Sequence, residues 1–141
     1  MRLTAIQGVY TLICMVKIPL RGIEETQGCY CLAARKRARE LTRRYEVALR
    51  PFGLRATQFS VLAALAQTGP IALSKLADLL GLERTTLTRI AGVLERDGRI
   101  SVTQGDDERV RMLSITTPGK RVLASAFPAW KRVQDDITKR G

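Results

Sequence analysis

The chain has 141 residues, enough for one packed domain with or without a tail. Apolar residues make up 45% and aromatics only 5%, so the core must rest on Leu, Ile, Val and Ala, which suits helices better than a β-sandwich. Histidine is absent, which excludes His-based acid–base catalysis, Ser–His and Cys–His nucleophile pairs and His-ligated metals, while a net charge of +11 points to a polyanionic partner.

Residues 1–28 carry no clear helical period. Leu3 to Met15 is mildly apolar but diluted by Gln7, Gly8 and Thr11, with no small-x-small cleavage site after it, so it does not read as a secretion signal. It is also too short to span a bilayer. The segment reads as an extended arm against a partner subunit, or as the product of a start assigned too early, with Met15 as an internal alternative. Cys14, Cys29 and Cys31 are odd in number and form neither a disulfide framework nor a zinc spacing, which fits a reducing cytoplasm.

From Cys29 to Arg50 apolar residues fall at Ala34, Ala38, Leu41, Tyr45 and Ala48/Leu49, predicting an amphipathic helix. Its stretch from Arg35 onward is strongly basic, as is the chain after Thr117, whereas charges nearly cancel between Arg55 and Thr116. A DNA reader in that middle would depend on placed contacts rather than bulk charge. Pro51 and Gly53 end the first helix, and Ala56 to Ala66 forms a second, with Thr57 as its N-cap. Thr68-Gly69-Pro70 breaks it. Leu73, Leu76, Ala77 and Leu80 mark a short third helix stopped by Gly81, and Glu83 to Asp97 a fourth, capped by Gly98.

The period then changes to two. Ile100 and Val102, then Leu113 and Ile115, alternate with polar residues on either side of a Gly/Asp turn, predicting a β-hairpin. Thr116 or Thr117 caps a last helix through Leu123, Phe127, Trp130 and Ile137, bent at Pro128. The fold class is therefore mainly α with a small β-hairpin wing: a winged helix-turn-helix.

With Leu87 inward, Thr85, Arg89, Gly92 and Arg96 face outward on the fourth helix and Thr88 flanks them. Thr85, Thr88 and Arg89 are placed to reach base edges in a major groove, and Arg84 and Thr86 to reach phosphates at the helix start. Arg109 and Arg111 sit where a wing would meet the minor groove or its backbone.

The chain from about Cys29 onward resembles the MarR family of winged-helix transcriptional regulators. The resemblance lies in Gly53-Leu54-Arg55-Ala56-Thr57-Gln58-Phe59, Leu76 to Leu82, Thr85-Thr86-Leu87-Thr88-Arg89, Leu94 to Gly98, and the wing Asp107-Glu108-Arg109 with Thr116 and Gly119 after it. It implies a homodimer on a pseudo-palindromic double-stranded DNA operator, usually repressing nearby genes. It also implies a small-molecule effector, Asp107 as the brace of the wing, and Arg109 as its DNA contact. Family members usually carry a further C-terminal helix for dimerisation. Here the chain stops at Gly141, so the expected organisation is an extension, 1–28, and a MarR-type domain, 29–141, whose dimer would use the first helix, the last helix and the arm.

Some relatives sense oxidants through a thiol near the start of the first helix. Cys29 and Cys31 are candidates, beside a helix N-terminus and Arg35, with small buried residues at a subunit contact as the alternative. No phosphate loop, nucleophile–base pair, metal cluster or cofactor motif occurs, so an enzyme is not expected. Two alternatives to a specific regulator remain. One is a protein-interaction module that pairs with another regulator, and the other a non-specific polyanion binder acting through the basic first helix.

Overall fold

The computed structural model describes residues 20–140, so Cys14, Met15 and most of the expected arm lie outside the described residues. The chain divides into two compact units, Met1–Arg37 and Ala38–Gly141. In the first, a 3-10 turn at Ile23–Gly28 precedes the start of helix α1, Tyr30–Leu49. Residues 20–40 are exposed throughout, Ala34 and Ala38 among them, so the buried stripe expected on this helix begins only at Leu41 and reaches full burial at Leu49.

The second unit is built on helix α2, Ala56–Thr68, which buries Phe59, Val61, Leu62, Ala64 and Leu65. Val61, Leu62 and Leu65 are completely covered. Each such side chain contributes about 1.5–3 kcal/mol by leaving water. The expected cap Thr57 instead lies inside the first turn. The helix starts one residue after Arg55, whose N–H donates to the Gln58 side chain at 2.9 Å, while Glu46 reaches across from α1 to accept from the Ala56 N–H at 3.0 Å.

Helix α3, Leu73–Leu80, and helix α4, Arg84–Arg96, meet through a tight turn in which Gly81 takes φ +63° and the Leu82 N–H returns to the Ala77 carbonyl at 2.9 Å. Only glycine adopts that backbone without strain. At the other end of α4 the C-cap is Asp97, one position before the expected Gly98, which follows it in the left-handed conformation, φ +70°. Leu76, Ala77, Leu87, Ala91 and Leu94 turn both helices onto α2.

The hairpin is present as β2, Ile100–Gln104, and β3, Arg111–Ile115, paired Val102 to Leu113 and Ile100 to Ile115. A third strand that the sequence reading did not anticipate, β1 at Ile71–Ala72, adds to the far side of β3. Helix α5, Thr117–Arg140, includes Pro128 without a break in the helix. Thr116 is its cap, accepting from the Gly119 N–H at 3.1 Å. Its buried stripe is Ala126 and Ala129 with half-buried Trp130, whereas Phe127 is 48% exposed rather than an inner residue.

Candidate nucleic-acid interface

Burying Leu87, Ala91 and Leu94 fixes the rotation of α4, and the opposite face must then go to solvent. Arg84, Thr85, Thr86, Thr88, Arg89, Gly92 and Arg96 are all exposed. No side chain caps the N-terminus of α4, so its first amides face outward without a local acceptor, the arrangement that receives a phosphate oxygen. Thr85 and Arg89 are one turn apart on the same face. The Thr88 hydroxyl donates to the Arg84 carbonyl at 2.8 Å, which leaves its lone pairs and methyl group for an outside contact.

Arg96 lies at the other end of the helix, about 16 Å from Thr85 along the axis. Its Nε is 3.6 Å from the Asp97 carboxylate. It therefore shares the face of Arg89 but belongs to a different part of any bound surface.

The wing tip is a tight loop between β2 and β3. The Gly105 N–H donates to the Val110 carbonyl at 2.7 Å, the Val110 N–H to the Asp107 carbonyl at 2.9 Å, and the Arg109 N–H to the Asp107 carboxylate at 3.0 Å. The Asp107 side chain thus sets the backbone from which Arg109 projects. Arg109 and Arg111 are both exposed.

Sequence reasoning missed Arg99, which joins this surface to the rest of the unit. Its Nη1 donates to the Gly53 carbonyl at 2.8 Å across 46 residues of sequence. A cavity of about 490 Å³ was also not foreseen; Leu41, Tyr45, Leu49, Leu80, Leu82 and Trp130 form much of its wall. Trp130 is stacked by Phe59, Phe127 and Tyr45 at centroid distances of 5.7, 5.7 and 6.3 Å. Among the described residues, no group of three His, Cys, Asp or Glu could hold a metal, and no helix is long and apolar enough to cross a membrane. Cys29 and Cys31 are exposed, and Arg35 Nη2 lies 3.7 Å from the Cys31 sulfur.

A family model, MarR family, matches residues 54–110, from just before α2 to the wing. YwoH, an HTH-type transcriptional regulator of Bacillus subtilis, is 32% identical over 84 residues, which is 60% of this chain and 61% of YwoH. YhbI of the same organism, also an HTH-type regulator, is 30% identical over 57% of this chain and 53% of its own length. The chain thus spans less than two thirds of either curated relative. Among solved structures, the Mycobacterium tuberculosis transcriptional regulator MosR in complex with DNA is 42% identical with a TM-score of 0.74, over 79% of this chain and 81% of that one. A mutant of Escherichia coli MarR complexed with operator DNA has a TM-score of 0.73 at 20% identity over 82% and 85%, a likeness of fold.

Proposed function

The chain belongs to the MarR family of transcriptional regulators, not to an enzyme family, and from that premise we propose that it binds DNA sequence-specifically as a repressor. In this reading it is a cytoplasmic homodimer that places two α4 helices in successive major grooves of a pseudo-palindromic operator. Thr85, Thr88 and Arg89 read bases, with Arg89 gripping a guanine edge. Arg84, Thr86 and Arg96 contact phosphates, and Arg109 and Arg111 extend the contact through the wing that Asp107 braces. The observation that carries this reading is the uncapped N-terminal turn of α4, exposed at Arg84, Thr85 and Thr86, in the same unit as a wing whose Arg109 backbone N–H is held by Asp107. A DNA-bound relative at 42% identity supports it.

The test is fluorescence anisotropy with the protein's own upstream DNA and a scrambled duplex as competitor, at about 150 mM salt. A preference of roughly 10³-fold or more supports operator reading. Equal affinity for both, falling steeply with salt, supports the rival polyanion reading, which the exposed Arg35, Lys36 and Arg39 of α1 favour.

The cavity beside Trp130 supports a small-molecule effector, apolar enough for those walls and with a polar group for Thr42, Thr57 and Ser60, which also line it. Cys29 and Cys31, both exposed, are the candidate oxidant sensors. In that role, mild peroxide weakens DNA binding and serine at both positions removes the response.

A further inference from the structure

Two residues, Gly98 and Arg99, separate the C-cap of the reading helix from the first wing strand, so they fix the angle between the two surfaces proposed to meet DNA. This short link is bolted on two sides. On one, the Arg99 guanidinium donates to the carbonyl of Gly53, in the turn between α1 and α2. Gly53 is held there at φ +64°, and its N–H is already used on Arg50. On the other, the Arg99 carbonyl accepts from the Thr116 N–H at 3.1 Å, and the Thr116 hydroxyl donates to the Gly98 carbonyl at 2.6 Å. Gly119, in the first turn of α5, lies so close that a Cβ there would overlap the Arg99 carbonyl oxygen. The Arg99 N–H completes the node by returning to Leu94 at 2.8 Å.

The consequence is geometric. Any rotation of α4 and the wing relative to the α1–α2 turn and the start of α5 must break a charge-assisted hydrogen bond. We propose that Arg99 is the positioning residue for operator recognition, locking the reading helix and wing to the ends of α1 and α5, the helices through which the proposed dimer would set the spacing of its two reading helices. This rests on the operator reading above and extends it to a residue with no direct role in reading bases.

The experiment compares the full chain with Arg99→Met, Arg99→Lys and Thr116→Val on the tightest-binding duplex from its own upstream DNA. The same duplex is then tested with one base pair added or removed between half-sites, alongside the scrambled duplex. Arg99→Met is expected to lose about tenfold on the correctly spaced site, the scale of one lost base-pair contact. It should change less than twofold on scrambled DNA and respond less to altered spacing. Arg99→Lys, which keeps a donor for Gly53, should recover spacing discrimination, and Thr116→Val should weaken it from the other side of the link.

A parallel loss on every duplex, with a salt slope reduced by about one, would make Arg99 a phosphate contact and overturn the proposal. So would unchanged spacing discrimination in Arg99→Met or, should that variant not fold, in Thr116→Val. A wild-type chain without operator preference removes the operator reading and this inference together. A wild type with that preference and an indifferent Arg99→Met removes the inference alone.

Discussion

Gly119→Ala tests the packing of α5 against the wing base because helix propensity and this structure predict opposite signs. Gly119 sits near the start of a helix and its φ is not positive, so propensity alone expects alanine to stabilise by up to about 1 kcal/mol. The structure places the Arg99 carbonyl oxygen where the Cβ would go, with Ile115 Cγ1 at 2.9 Å and the Arg99 carbonyl carbon at 3.0 Å. Two of these three atoms are backbone and cannot rotate away. The start of α5 must retreat, which stretches the Thr116–Arg99, Thr116–Gly98 and Gly119–Thr116 hydrogen bonds. At about 1 kcal/mol each, less the propensity gain, the net cost is roughly 2–3 kcal/mol. For a unit of this size that lowers Tm by roughly 10 °C. Urea denaturation followed by circular dichroism measures the loss directly, and Gly92→Ala is the control. A Cβ at Gly92 meets open space, so that variant should gain about 0.5–1 kcal/mol while losing operator affinity if the exposed face lies against DNA. Gly119→Ala matching or exceeding the parent in stability would refute the close approach and with it the rigid wing base.

Arg89→Ala should cost about 1–3 kcal/mol of operator affinity and relax preference at one base position, read by competition among single-base variants of the duplex. Arg109→Ala should weaken all sequences more evenly; equal, even effects from both would end the base-reading role of Arg89. Asp107→Ala, which removes the acceptor for the Arg109 N–H, should reproduce much of the Arg109→Ala loss without removing a positive charge, so its salt slope should stay at the parent value. Lys36→Gln with Arg39→Gln should leave that slope unchanged for operator DNA; a fall of about 1.8 would put α1 on the phosphates.

The helices and the hairpin were legible because their apolar residues repeat at 3.6 or 2, and the exposed face of α4 followed from an inward Leu87 alone. What escaped the sequence depends on distant partners. Ile71–Ala72 is too short for a pattern and becomes a strand only because β3 offers an edge. Thr57 is a sound local cap, but Gln58 and the distant Glu46 satisfy the first amides one residue earlier. Phe127 reads as core by residue type, yet the close packing of α5 favours Ala126 and Ala129, leaving the phenyl ring half in water against Trp130. Arg99 looks like one more surface arginine until Gly53 is brought beneath it.

The charge distribution and the bonding of the wing base bear on the same question. The strongly basic stretches are α1 and the chain after Thr117, while the segment from Arg55 to Thr116, which holds α4 and the wing, is nearly neutral. A neutral reader gains little from non-specific attraction, so its affinity must come from contacts that register only when several groups fit together. Such contacts lose value quickly if the surface bearing them can tilt. A rigid link at Arg99 is thus what the proposed reader, with little bulk charge, would need. If Arg99→Met lost spacing discrimination while extra lysines on the wing restored affinity, they should restore it for scrambled and operator DNA alike, because charge can replace attraction but not orientation.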